Sequence, residues 1–145
     1  MTVTAIVNQK KHGGVATIAA DATLKECVAL LAQKRIGAVV VSRDGETIDG
    51  ILSERDVVRV LADKGAEALA LPVAQVMTRT VKTCTLDERA DELLARMTEG
   101  RFRHMPVMND GKMAALVSIG DVVAYRLAEL ATEKTALEDM VKGGY

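Results

Sequence analysis

Aromatic side chains are nearly absent from this chain: Phe102, Tyr125 and Tyr145 are the only ones among 145 residues, and there is no Trp. Binders of single-stranded nucleic acid stack bases on aromatic rings, so that class is excluded. Neither sign of charge is in excess, with 19 Lys+Arg against 20 Asp+Glu. A duplex-binding surface needs a concentrated basic patch, which this balance argues against. No uncharged run approaches the ~18 residues of a membrane span. The longest, from Ala68 to Thr78, is interrupted by Pro72. The first residues, Met1 to Lys11, lack the apolar stretch of a secretory signal. Two cysteines, Cys27 and Cys84, match no zinc or dithiol spacing. They are expected as buried free thiols in a reducing compartment, and the expected location is cytoplasmic.

What the chain does have is apolar aliphatic content. Hydrophobic residues make up 49%, enough for one compact domain whose core is built from Val, Leu, Ile, Ala and Met. It also has a repeat. Sliding the chain along itself by a constant offset aligns Val15 with Val81, Thr17 with Thr83, Arg35 with Arg101, Val41 with Val107 and Gly45 with Gly111. One residue then drops out in a turn. The shortened offset pairs Ser53 with Ser118, Asp56 with Asp121 and Val58 with Val123. The Thr-Leu-x-Glu boxes at Thr23 and Thr85 do not superpose in this register.

Each half carries the same signals. A short β-rich stretch (Val15–Ile18, Val81–Cys84) precedes an amphipathic helix, with apolar Leu24, Cys27, Val28 and Leu31 in one half and Ala90, Leu93, Leu94 and Met97 in the other. Strands are expected at Ala38–Val41 and Met105–Met108, hairpin turns at Asp44-Gly45 and Asp110-Gly111, and third strands at Gly50–Ser53 and Ala115–Ser118. Second helices start at Ser53 and Ser118. The fold class is α/β (α+β), with the order β-α-β-β-α twice. The segments are an N-terminal stretch with the first repeat (1–64), a connector (65–80), the second repeat (81–126), and a C-terminal helix with its tail (127–145). Leu127, Leu130, Lys134, Leu137 and Val141 form a stripe that is expected to pack on its own domain, with a coiled seam as the alternative.

The sharpest duplicated feature is Ser-x-x-Asp at the end of each third strand, Ser53-Glu54-Arg55-Asp56 and Ser118-Ile119-Gly120-Asp121. Taken once, it is a helix N-cap with an acidic residue in the first turn. Taken twice, with two of the three serines of the chain, it also suits a nucleotide. A helix N-terminus offers N–H groups to phosphate, and a carboxylate one turn on can accept from two ribose hydroxyls. Arg101, Arg103 and His104, with Arg35 and Arg55 in the first half, are the candidate phosphate partners.

With these strings on the page the chain resembles a CBS-domain pair, or Bateman module. The matching elements are Val-x-Thr at 15–17 and 81–83, Arg35-Ile36-Gly37-Ala38, Arg101-Phe102-Arg103-His104-Met105-Pro106-Val107 and both Ser-x-x-Asp motifs, from about Val15 to Arg126. The resemblance implies two pseudo-symmetric repeats packed through their sheets, with a long C-terminal helix. It implies two clefts for adenosine ligands: AMP, ADP, ATP, NAD or S-adenosylmethionine. Carried over, Asp56 and Asp121 each hold a ribose, and Ser53 and Ser118 meet phosphate or ribose. The backbone at Ile36, Gly37, Ala38 and Met105 reads adenine, and Thr17 and Thr83 line opposite clefts. Arg103 and His104 meet phosphates. Arg55, Lys82, Pro106, Ile119 and Gly120 complete the set. Gly37-Ala38 stands where the second half has Arg103-His104, and Gly120 where the first has Arg55, so the clefts differ in charge; the Asp121 cleft is the favoured one, because Gly120 leaves room for close backbone approach.

Walker, Gly-x-Gly-x-x-Gly and His-Glu-x-x-His motifs are absent. The catalytic barrel that accompanies such pairs in IMP dehydrogenases has no counterpart here. No catalytic or metal-binding role is expected. The expected function is a stand-alone regulatory module, a homodimer that passes ligand state to a partner protein. The alternative is a nucleotide-independent dimerisation or adaptor scaffold. Neither nucleic acid nor membrane is expected as a partner.

Overall fold

The structure is a computed structural model that describes residues 2–10 and 14–142. Tyr145 and the end of the tail lie outside the described residues. The element order is α1 (Val3–Gln9), β1 (Thr17–Ile18), α2 (Leu24–Lys34), β2 (Ala38–Val41), β3 (Gly50–Ser53), α3 (Glu54–Lys64), β4 (Cys84–Thr85), α4 (Ala90–Gly100), β5 (His104–Asn109), β6 (Lys112–Ser118) and α5 (Ile119–Lys142). Short 3-10 turns at Gly65–Ala70 and Val73–Gln75 form the connector.

Two three-stranded sheets result, β1-β2-β3 and β4-β5-β6, each with one parallel and one antiparallel pairing. Their registers reproduce the sequence repeat. Ile18 lies opposite Val41, and Cys84, the counterpart of Ile18 in the second half, lies opposite Val107. The same register explains the boxes that fail to superpose. Thr23 caps α2 in a full capping box with Glu26, and its counterpart is Arg89, which caps α4 without a side-chain bond. Thr85 lies before that point, and its N–H donates to the Glu88 carboxylate in a turn (2.6 Å).

All four residues of β2 are buried. Val39 and Val41 face Leu24, Cys27 and Leu31 in the first core. Strand alternation puts Ala38 and Val40 on the opposite face, yet they are 2% and 0% exposed. That face needs a cover, and the second repeat supplies it. A Cβ on Gly37 would lie 3.3 Å from His104 Nε2, and Pro106, between Met105 and Val107 of the second core, is buried as well. The two repeats thus pack through their sheets.

The N-terminal stretch, grouped with the first repeat by its place in the chain, folds onto the second. Val3 and Ile6 are fully buried in the second core. The Val3 and Thr4 N–H groups donate to the Glu88 and Leu86 carbonyls (2.8 and 3.0 Å). Val73 and Ala74 of the connector donate to the Ala22 and Ala20 carbonyls (2.7 and 3.0 Å), and these two alanines are the first-half counterparts of Glu88 and Leu86. Residues 2–10 and 72–80 are therefore equivalent segments, each docked on a different repeat.

Three expectations are corrected. Asp110 and Gly111, both at positive φ (51° and 77°), make the expected tight turn, but Asp44-Gly45 does not. Its carboxylate accepts from Glu46 N–H, Thr47 N–H and the Thr47 hydroxyl (2.7–2.8 Å). These bonds hold a loop over residues 42–49 and hold the Asp44 carboxyl down at about 2. The strand expected at Val81–Cys84 is Cys84–Thr85. The C-terminal stripe does not pack on its own domain: Leu127, Leu130, Leu137 and Val141 are 61%, 44%, 64% and 77% exposed.

Both cysteines are free and buried, as expected. Burial pushes the Cys27 thiol up to about 11, and burial together with the nearby Glu88 carboxylate pushes Cys84 up to about 12. The thiolate is the reactive form. An aromatic disulfide reagent at pH 8 is expected to titrate neither thiol in the native protein and both in denaturant. Rapid reaction of the native protein would contradict this packing.

Candidate functional site

Both Ser-x-x-Asp motifs form helix caps. The Ser53 N–H and hydroxyl donate to Asp56 Oδ2 (2.9 and 3.1 Å), and the Asp56 N–H donates back to Ser53 Oγ (3.4 Å). At α5 the Ser118 N–H donates to Asp121 Oδ2 (2.8 Å) and the Asp121 N–H to Ser118 Oγ (3.1 Å). Each helix start is also tied to the residue before the central strand. Glu54 N–H donates to the Gly37 carbonyl and Ile119 N–H to the Arg103 carbonyl (2.9 and 2.8 Å). Capping uses one carboxylate oxygen. Asp56 Oδ1 has no hydrogen-bond partner among the described residues.

Asp56 opens into a cleft of about 660 Å³. One wall is the β3–α3 corner: Ile51, Ser53, Glu54, Arg55, Asp56, Val58 and Arg59. Asp56 and Arg59 share a helix face through their three-residue spacing. The opposite wall comes from the connector and the second repeat, with Thr78, Thr80, Val81 and Lys82, then Gly100 to His104. Gly37 is at the seam. Arg101 caps α4 in the left-handed conformation (φ 57°), as Arg35 does in the equivalent position of α2 (φ 54°). Five cations (Arg55, Arg59, Lys82, Arg101, Arg103) and two carboxylates (Glu54, Asp56) line this cleft.

At the second motif a cation of the chain itself meets the carboxylate. Lys10 Nζ lies 2.9 Å from Asp121 Oδ2 and donates to the Leu116 carbonyl (2.6 Å). Lys10 and Asp121 side chains are 28% and 26% exposed. Burial pushes the Asp121 carboxyl up, but bonds from the Ser118 N–H and Lys10 outweigh it, and its pKa lies below the ordinary value. Lys10 holds this place because α1 docks on the second repeat. The equivalent residue in the other segment is Thr80, on the wall of the Asp56 cleft.

His104 is at the seam between the two motifs and feels the carboxylates of both. Burial pushes its pKa below the ordinary 6.5, outweighing the upward pull of Asp121 and Glu54, and Lys10 and Arg103 push it down further.

Of the residues singled out from sequence, Gly37, Ser53, Arg55, Asp56, Lys82, Arg103 and His104 line one cleft. Ser118, Ile119, Gly120 and Asp121 start α5 beside Lys10. Ala38, Met105 and Pro106 are buried in the sheets. Ile36 packs against the first core. Thr17 pairs with Val40 in β1. The Thr83 carbonyl accepts from Arg96 (2.9 Å). None of these last six lines the 660 Å³ cleft. Arg103 and His104, which precede the Ser118–Asp121 motif in the second repeat, line the cleft of the first. Sequence reasoning missed Glu54, Arg59, Thr78, Thr80 and Lys10. Arg59 was findable from its spacing to Asp56; Lys10 had no signal, since its partner Asp121 lies in the far half of the chain.

The family model for the CBS domain matches twice, over residues 12–63 and 73–128. A curated relative, the CBS domain-containing protein CBSX3, mitochondrial, of Arabidopsis thaliana, is 36% identical over 129 residues, which cover 86% of this chain and 63% of its own length. The CBS-domain protein ATU1752 from Agrobacterium tumefaciens superposes with a TM-score of 0.83 at 38% identity, covering 87% of this chain and 99% of that one. The CBS domain protein PAE2072 from Pyrobaculum aerophilum, solved in complex with AMP, superposes with a TM-score of 0.76 at 24% identity, covering 91% and 99%.

The His104 shift carries a pH dependence. Burial disfavours the imidazolium in the native state, while the unfolded chain protonates it near 6.5. Its effect on stability is absent above that pH. Stability falls as pH drops through 6.5 toward the lower native value, where the loss levels off. In an NMR titration, with the signal assigned through His104→Gln, the native midpoint is expected below 6.5. A midpoint at or above that value would contradict the burial argument.

Proposed function

Because the chain belongs to the CBS-domain family and carries the repeat twice, we propose that it is a regulatory module that binds an adenosine nucleotide in the Asp56 cleft and catalyses no reaction. The observation that carries the reading is the cleft itself: a hollow of about 660 Å³ where a carboxylate oxygen has no described partner and faces cations across the gap. Asp56 accepts from the ribose hydroxyls. Ser53, the α3 N-terminus, Arg103 and His104 meet phosphate, with Arg55 and Lys82 beside them. The Gly37 backbone, at the seam of the cleft, reads the adenine edge. Ser118, Ile119, Gly120 and Asp121 form the second, weaker site, closed by Lys10. AMP in the PAE2072 pair supports the ligand class; ADP, ATP, NAD and S-adenosylmethionine are the other candidates. Two buried thiols suit a cytoplasmic protein. The ligand state passes to a partner protein.

A second reading has its own observation. The exposed apolar residues of α5, together with Val58 and its equivalent Val123 (65% and 41% exposed), suit contact with a second copy of this chain. A homodimer is compatible with nucleotide binding; a pure scaffold is not.

Calorimetry with AMP, ADP, ATP and NAD, on samples also weighed by light scattering, separates the two. One equivalent per chain is expected. Loss of a hydrogen bond to a charged group makes Asp56→Ala weaker by about 10- to 150-fold, and Asp121→Ala is expected to change affinity far less. Circular dichroism checks the fold of Asp56→Ala, which keeps the Ser53 cap on the residue 56 N–H and loses only the carboxylate half of the capping box. A dimer that binds none of the four, nor S-adenosylmethionine, would favour the scaffold and refute the nucleotide reading.

A further inference from the structure

We propose that the Asp56 cleft selects adenosine ligands that carry a pyrophosphate over AMP and over ligands without phosphate. The proposal rests on the nucleotide reading above and sharpens it to a ligand class.

The argument is the surplus of cations and its restriction to one side of the pair. Arg55, Arg59, Lys82, Arg101 and Arg103 face the same hollow as Glu54 and Asp56. None of the five is within ion-pair distance of a carboxylate among the described residues. With Asp56 given to a ribose, Glu54 alone remains to offset them. Like charges held around one cleft repel, and a polyanion relieves this; arginine in particular forms paired bonds to phosphate oxygens. A single terminal phosphate offers three oxygens to five cations, which come from the α3 face and from the segments before β4 and β5. A pyrophosphate extends the anion along that span.

The repeat provides an internal control. In the register of the duplication, Arg55 corresponds to Gly120, Arg59 to Ala124, Lys82 to Ala16 and Arg103 to Gly37. Four of the five cations are replaced by Gly or Ala in the other half; only Arg101 keeps its charge, as Arg35. The fold needs no cation at these positions, because the other copy of each element forms without one. The charge in the Asp56 cleft therefore answers to something other than folding. Two pyrophosphate sources share the chemistry, a nucleoside di- or triphosphate and a dinucleotide.

The test is calorimetry on the full chain at fixed salt, without magnesium, using adenosine, S-adenosylmethionine, AMP, ADP, ATP and NAD. ADP, ATP or NAD is expected to bind at least about ten-fold more tightly than AMP, the size of one charge-assisted hydrogen bond. AMP should bind more tightly than adenosine. Arg59→Gln and Lys82→Gln, both at exposed positions and so with little cost to folding, should each narrow the ADP-to-AMP ratio. Comparison of ATP with NAD identifies the source. AMP or S-adenosylmethionine binding as tightly as every pyrophosphate ligand would overturn the selectivity and leave the nucleotide site standing. Failure of all six compounds to bind would overturn both.

Discussion

Strand β2 is buried on both faces, and one repeat can cover only one of them. Val39 and Val41 pack on α2, while Ala38 and Val40 need an apolar surface from outside the repeat. Burying a Val side chain contributes about 1.5–3 kcal/mol, so the uncovered face would be a large exposed liability for an isolated half. Pairing the sheets satisfies it and sets the rest of the geometry. It brings the segment before β5 against the start of β2, near enough that a side chain at Gly37 would touch His104. It thereby carries Arg101, Arg103 and His104 onto the cleft formed by the other half's Ser-x-x-Asp corner.

The same motif then does two jobs. The cap holds one carboxylate oxygen against Ser53 and fixes the start of α3; the second oxygen stays available to the cleft. In the second repeat the cap is kept, but Lys10 occupies the carboxylate. The asymmetry comes from the docked segments rather than from the motif. Residues 2–10 and 72–80 make the same two backbone bonds to opposite repeats, and they differ where one presents Lys10 and the other Thr80. A duplicated fold has thus diverged at positions the backbone does not constrain, with cations gathered on one side and an internal ion pair on the other.

Much of this was legible in the sequence because the repeat is. It places matching strands and helices in each half, and the apolar run at Ala38–Val41 and the stripes at Leu24 and Leu93 place the cores. Three things were hidden. The equivalence of residues 2–10 with 72–80 depends on backbone bonds, and the two segments share little beyond Val3 and Val73. The Asp44 loop follows from a side chain capturing its own turn, which overrides the Asp-Gly hairpin signal. Favouring the Asp121 cleft weighs the room at Gly120, whereas packing through the sheets sends Arg103 and His104 across the seam to the Asp56 side.

Whether the open cleft at Asp56 holds the ligand, with Lys10 keeping the Asp121 corner for itself, is read most directly from a crystal structure of the protein grown with ADP. Nucleotide density is expected between the β3–α3 corner and the Thr80–His104 wall, with the ribose on Asp56 and the Lys10–Asp121 pair intact. Nucleotide density at Asp121, with Lys10 displaced and the Asp56 cleft empty, would contradict this assignment.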